Sequence, residues 1–300
     1  MTRRGLLLFV AMCLIWGIPY LFIRIAVSEL TPATLVFLRT GIAALVLLPI
    51  AIRRGGTRAL FDKWRPLLVF ALIEIGVPWV ALSSAEQQIS SSLAGLLISA
   101  VPLVGVVIAP LFGNRERFGP VNLGGLALGL VGVAAIVGFD LRATGWIPLA
   151  EMAVVAICYA VGPAILARYL SGLPSVSVIA ASLAICAILY APLAAFQLPR
   201  SSPSSGVLLS VAVLAFVCTA LAFLIFFALI AEIGPVRATV FTYINPAVAA
   251  LAGVLVLDET FTPGMGIGFV LVLVGSTLAT RRGIPKQPVL VQEGIGARDR

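Results

Sequence analysis

Residues 94–132 read AGLLISAVPLVGVVIAPLFGNRERFGPVNLGGLALGLVG, and residues 238–275 read ATVFTYINPAVAALAGVLVLDETFTPGMGIGFVLVLVG. Each block is an apolar run around a proline, a short turn with a glutamate, and a glycine-rich apolar run. Ala94 aligns with Ala238 and Pro102 with Pro246 at an offset of 144. The second turn is one residue shorter, so Glu116 aligns with Glu259, Gly125 with Gly268 and Gly132 with Gly275 at 143. Upstream, Pro19 aligns with Pro163 and Arg24 with Arg168, again at 144. One unit of that length is written twice, and a repeat of this kind decides the architecture.

The unit is a membrane unit. Of 300 residues, 61% are hydrophobic and 11% charged, and the mean hydropathy is +1.15. A water-facing surface cannot be built from so little charge. About 20 apolar residues cross the roughly 30 Å of hydrocarbon in a bilayer. Ten stretches qualify: 5–27, 33–52, 66–85, 92–112, 120–139, 147–167, 175–196, 207–230, 235–257 and 264–280. Backbone groups in lipid are satisfied by helices or closed barrels, and these runs are too long and continuous for barrel strands. The predicted fold is therefore all-α and integral to the membrane, with ten transmembrane helices.

Five spans per unit is an odd number, so the second unit starts on the opposite side from the first. The expected architecture is two inverted five-helix repeats around a central cavity, as in secondary transporters. The predicted units are 1–141 and 142–282, and 283–300 is a polar, charged stretch expected to be a disordered cytoplasmic tail.

The net charge of +8 does not point to nucleic acid, because the basic residues sit in short loops. When loops are assigned alternately from an internal N-terminus, 16 of the 20 lysines and arginines fall inside; Arg24, Arg39, Arg142 and Arg200 fall outside. This bias predicts cytoplasmic N- and C-termini. Met1-Thr2-Arg3-Arg4 also resembles a twin-arginine signal, but removing that segment leaves nine spans and destroys the repeat. Cys13, Cys158, Cys186 and Cys218 all fall within apolar spans, and the chain has no histidine. No metal site, cofactor or catalytic residue is expected, nor is ATP use, for want of a Walker-type motif.

The paired blocks around Pro102 and Pro246 resemble EamA-type transporters of the drug/metabolite transporter superfamily. The opening Leu14-Ile15-Trp16-Gly17, the Asp258-Glu259-Thr260 turn and the ten-span length agree with this over residues 1 to about 282. The second copy departs from the opening motif at Tyr159-Ala160, and Asn114-Arg115-Glu116 is a loose version of the later turn. The resemblance implies a carrier in a cytoplasmic (inner) membrane that exports amino acids, aromatic ones among them, other metabolites or drugs. The predicted partners are a small-molecule substrate, an amino acid or an organic cation, and membrane lipid. The oligomeric state stays open, and a monomer is compatible with the sequence.

Aromatic residues deep in the spans are candidate cavity residues: Trp16, Tyr20, Trp79, Tyr159, Phe223 and Tyr243. Trp79 and Phe223 are repeat equivalents. A ring with an N–H or O–H at mid-depth needs a partner or a wet cavity; helix packing is the competing role for each. Glu74 lies roughly 12 Å into its span by the helical rise, where a carboxylate is a functional residue by default. Proton coupling, a counter-charge to an amine, or a structural pair with Arg168 or Arg237 are its alternatives. Arg39 is expected to pair with Glu86 or Glu151. Ser99 and Asn245 precede the two prolines and join the candidate substrate-binding set. Pro78, Pro102 and Pro246 are candidate hinges, each removing one helix hydrogen bond, with a static kink as the alternative. Gly125, Gly129, Gly132, Gly264, Gly268 and Gly275 form small-xxx-small faces for close packing.

The leading expectation is a secondary carrier of amino acids working by alternating access. A proton-coupled exporter of lipophilic cationic drugs is the alternative, and a lipid-modifying membrane enzyme the remote one.

Overall fold

Side-chain caps and prolines decide where the helices begin. Thr31, Ser90, Ser204 and Thr262 each accept a hydrogen bond from a backbone N–H in the first turn that follows. This satisfies one of the orphan donors at a helix start. The computed structural model describes residues 2–55, 58–112, 119–138, 145–199 and 201–280. Every regular element in them is helical. The principal helices are α1 (Arg3–Ala26), α2 (Pro32–Arg54), α3 (Trp64–Ala85), α4 (Ser91–Leu111), α5 (Pro120–Val137), α6 (Trp146–Tyr169), α7 (Ser175–Phe196), α8 (Ser205–Ile233), α9 (Asn245–Leu257) and α10 (Pro263–Ala279). Among the described residues, α1 to α8 are long and apolar enough to cross a membrane, and α9 and α10 are shorter apolar helices.

The outward faces are apolar. Leu45, Ile188 and Leu255 are 75%, 72% and 70% exposed, a surface that suits hydrocarbon rather than water. Trp64 and Trp146 stand exposed at helix ends, the position tryptophan favours at a membrane–water interface. The chain is a multi-pass membrane protein.

Each of the first five helices packs on one of the last five: α1 on α8, α2 on α7, α3 on α6, α4 on α9 and α5 on α10. The α5–α10 contact is backbone to backbone. A Cβ on Gly132 would lie 2.7 Å from Gly268 O, and one on Gly125 would lie 2.8 Å from Gly275 O. Added Cβ atoms on Gly268 and Gly275 would strike the α5 backbone, one on Gly264 would meet Ala135 O, and one on Gly129 would strike the Leu103 side chain. Neither helix contributes to the cavity described below.

Several helices are irregular, and in two helix pairs the irregularities follow the repeat. α3 contains a π-helical segment, Leu72–Gly76, and α8 contains a longer one, Val213–Leu221. At the offset of 144, positions 72–76 fall on 216–220, inside the second segment. Pro78 follows the first, while Ala222 holds the equivalent place in α8, so no proline drives the second. Thr219 fills part of the gap there, its Oγ1 donating to Leu214 O at 2.8 Å. In α3, the Tyr190 hydroxyl from α7 donates to Gly76 O at 3.1 Å.

α4 breaks after Ile98 and restarts at Val101. The equivalent break precedes α9, where the short helix Pro235–Ala238 and the 3-10 turn Thr239–Tyr243 precede Asn245. Stretch 235–257, expected as one span, is therefore divided. Pro102 and Pro246 sit near the start of a new helical segment, where a missing N–H costs nothing. In α1 a turn at Trp16–Ile18 separates two segments, and Pro19 opens the second. α6 runs unbroken through Pro163.

The predicted tail 283–300, the unit boundary at 141 and 142, and Glu116 lie outside the described residues.

Candidate functional site

The irregular segments converge on a central cavity of about 280 Å³. α1 contributes Trp16 and Tyr20, α2 Arg39, α3 Glu74 and Trp79, and α4 Ser99 and Pro102. From the second half come Tyr159 of α6, Cys218 and Phe223 of α8, and Tyr243, Asn245 and Pro246 around the start of α9. All nine residues singled out as a candidate binding set thus line one cavity. Of the three candidate hinge prolines, Pro102 and Pro246 also line it; Pro78 is buried outside it.

Some of the lining residues are held by the fold. Trp16 donates from Nε1 to Cys218 O at 3.2 Å, and its ring lies 5.6 Å from Phe223, 5.0 Å from Phe226 and 5.3 Å from Phe241. This aromatic nest ties α1 to α8 and to the 3-10 turn before α9. Ser99 turns its hydroxyl onto Leu96 O at 2.5 Å, within the break of α4. With its amide oriented to suit its neighbours, Asn245 donates from its nitrogen to Phe241 O at 3.0 Å and Cys13 O at 3.1 Å, bridging that turn to α1. Ser99 and Asn245 therefore spend hydrogen bonds on the helix breaks.

The charged groups differ from expectation. Arg39 pairs with neither Glu86 nor Glu151. It is 7% exposed, its Nε donates to Thr219 Oγ1 at 2.9 Å, and its guanidinium carbon stands 3.7 Å from the Trp79 ring centroid. The reason is geometric: the π-helical segment of α8 brings Thr219 to α2, and Trp79 offers a ring face closer than any carboxylate. Glu74 pairs with neither Arg168 nor Arg237. Its Oε2 is buried and has no hydrogen-bond partner among the described residues. A Cβ at Gly162 of α6 would overlap that oxygen, so the glycine makes room for the carboxylate. Tyr159 lies within electrostatic reach of both Glu74 and Arg39.

One end of the cavity is closed. Tyr20, Ile23, Leu82, Ala85, Ile89 and Leu93 pack into a buried cluster there. Inside that end lies Glu86, fully buried, with both carboxylate oxygens unpartnered among the described residues; its backbone carbonyl accepts from Arg24 Nη1. Beyond it is a polar recess bordered by Arg24, Gln87, Gln88, Ser90 and Glu259. Glu259 binds the start of α4, accepting from Ser91 N and Oγ at 2.8 and 2.9 Å and from Ser92 N and Oγ at 2.8 and 2.5 Å. Sequence reasoning gave neither Arg39, Thr219 nor Glu259 these partners. The Arg39–Thr219 and Glu259–Ser91 contacts each join residues more than 160 positions apart, and no local pattern signals them.

The two halves share more than this cavity. The sequence profile of the EamA-like transporter family matches residues 3–138 and again 146–281. The chain belongs to the EamA-like transporter family. The uncharacterized inner membrane transporter YedA of Escherichia coli strain K12 is 27% identical over 292 residues, covering 93% of this chain and 92% of that protein. An uncharacterized transporter of Archaeoglobus fulgidus is 29% identical over 276 residues, or 89% and 95% of the two chains. A crystal structure of a protein 22% identical in sequence has the same fold, with a TM-score of 0.66 over 93% of this chain and 97% of that one. As an EamA-like protein, the chain is a membrane transporter.

Proposed function

We propose that this EamA-like protein is a secondary carrier that exports small metabolites, amino acids foremost, across the cytoplasmic membrane by alternating access. The observation that carries the reading is the central cavity itself. Both halves line it, six aromatic residues face it, and among the described residues it holds one cation and one carboxylate that do not pair with each other. A small zwitterion with an apolar side chain matches that lining: its charges meet opposite charges and its side chain meets rings. The direction of transport rests on the family resemblance.

The architecture we propose is ten crossings in two inverted five-helix units, 1–141 and 142–282. The packing map supports it. Exchanging the two halves turns the α1–α8 contact into the α6–α3 contact and leaves α2–α7, α4–α9 and α5–α10 unchanged. A pseudo-two-fold axis in the membrane plane has this consequence. With the N-terminus inside, the closed Glu86 end faces outward. Helix breaks before Pro102 and Pro246 then serve as hinges. In a variant without cysteines, a cysteine at position 58 should react with an impermeant thiol reagent from the cytoplasmic side and one at position 203 from outside. The reverse pattern inverts the topology.

The buried Oε2 of Glu74 favours a second reading, a proton-coupled exporter of lipophilic cations, because an unpartnered carboxylate in a cavity wall can take up a proton. Flux in purified proteoliposomes separates the two. Labelled phenylalanine and threonine run beside a quaternary ammonium cation, with and without a pH gradient. We expect saturable amino-acid flux that persists without the gradient. Cation flux that requires the gradient, with no amino-acid flux, replaces the first reading by the second.

A further inference from the structure

We propose that Arg39 is the residue that recognises a carboxylate on the transported solute. The inference rests on the carrier reading above and adds to it the group that selects the substrate's anionic end.

A guanidinium stays charged under all conditions met by a protein, and a charge within a membrane helix is costly unless it is used. Arg39 is nevertheless buried in α2 with no carboxylate within 4.0 Å; among the described residues the only ion pair that close is Arg4–Glu232. Its stem is fixed at two points. Thr219 Oγ1 gives its own proton to Leu214 O and presents a lone pair to Arg39 Nε. The Trp79 ring covers one face of the guanidinium at 3.7 Å. The terminal nitrogens donate to no acceptor among the described residues, and the side chain lines the cavity. A planar fork, immobilised at Nε and along one face, with its outer N–H groups unspent, is a ready receptor for a planar anion. Its ordering cost is met before the ligand arrives.

The lining narrows the anion to a monovalent group. Among the described residues Arg39 is the one cation on the cavity wall, and Glu74 shares that wall. A phosphate dianion would meet one positive group, one negative group and aromatic faces. A carboxylate is neutralised by Arg39 alone. Tyr159 lies within electrostatic reach of both charges, which leaves the Glu74 side for an ammonium.

The test uses the purified, full-length protein in detergent. Trp16 and Trp79 line the cavity, so intrinsic fluorescence reports occupancy without transport. Three probes share one ring: L-phenylalanine carries both charges, hydrocinnamate only the carboxylate, and phenethylamine only the ammonium. In Arg39→Gln we expect the affinities for phenylalanine and hydrocinnamate to fall about 10- to 100-fold, as for loss of a charged hydrogen-bonded pair. Phenethylamine should change less than about twofold. Arg39→Lys keeps the charge without the fork and should fall between. If thermal unfolding shows that Arg39→Gln does not fold, Arg39→Lys carries the same comparison.

Equal loss for all three probes, or none for the two carboxylates, overturns the assignment and leaves Arg39 a wall residue. So does a wild-type protein that binds phenethylamine alone. A wild-type protein that binds none of the probes and moves no amino acid removes the amino-acid carrier reading itself. Amino-acid flux without dependence on the carboxylate removes only the role of Arg39.

Discussion

Replacing Glu259 by alanine should cost about 3 kcal/mol of stability and lower the thermal unfolding midpoint of the purified protein by several degrees. The left-handed backbone at Asp258, φ 51° at the end of α9, turns the chain so that the next side chain points back into the bundle. Glu259 then accepts from two backbone N–H groups and two hydroxyls at the start of α4. Those N–H groups belong to the orphan donors of a helix start, where a negative charge is also favoured by the helix dipole. Gly253 keeps the space open, since a Cβ there would overlap Glu259 Oε2 and Ser92 Oγ. Glu259→Ala leaves all four donors without this acceptor. Glu259→Gln keeps one acceptor and loses the charge, so its midpoint should lie between the two. An unchanged midpoint in the alanine variant would mean that solvent from the neighbouring recess replaces the carboxylate at no cost.

This contact also marks the limit of what was legible in the sequence. The Asp258-Glu259-Thr260 turn stood out as half of a repeated block, but its target is on α4, 167 and 168 positions away. The long apolar runs were readable because hydrocarbon imposes one requirement on every residue of a span. Helix starts were readable because proline and capping residues act locally. The deep aromatic residues were readable as a set, because a ring with a polar edge at mid-depth is an anomaly in lipid.

What did not show was how the backbone departs from regular helix. Pro78 pointed to a kink in α3, and the structure has a π-helical segment before it. The matching segment of α8 has no proline, and Ala222 gives no sign of it. That segment sets Thr219 against Arg39, so the placing of Arg39 depends on a distortion that composition does not encode. Reading Arg39 by charge alone suggested a carboxylate partner. The structure gives it a ring and a hydroxyl instead, and frees its outer nitrogens for the cavity.

Trp79 is the other half of that arrangement, and its replacement should have the larger effect on transport. A desolvated cation–π contact is worth about 2 kcal/mol, a factor of about 30 in affinity. Truncating a buried tryptophan to alanine would also cost about 3–5 kcal/mol of packing, so leucine and phenylalanine are the more informative replacements. Trp79→Leu fills much of the site but offers no ring face. We expect it to raise KM for amino-acid flux about tenfold or more while the unfolding midpoint moves little. Trp79→Phe keeps a face under the guanidinium and should retain flux within about threefold. Both variants remove the indole N–H of Trp79, so the difference between them isolates the ring face. Equal loss in both would assign the effect to the indole N–H rather than to the ring face. Unchanged flux in both would make Trp79 a packing residue of the α3 wall and leave Arg39 held by Thr219 alone.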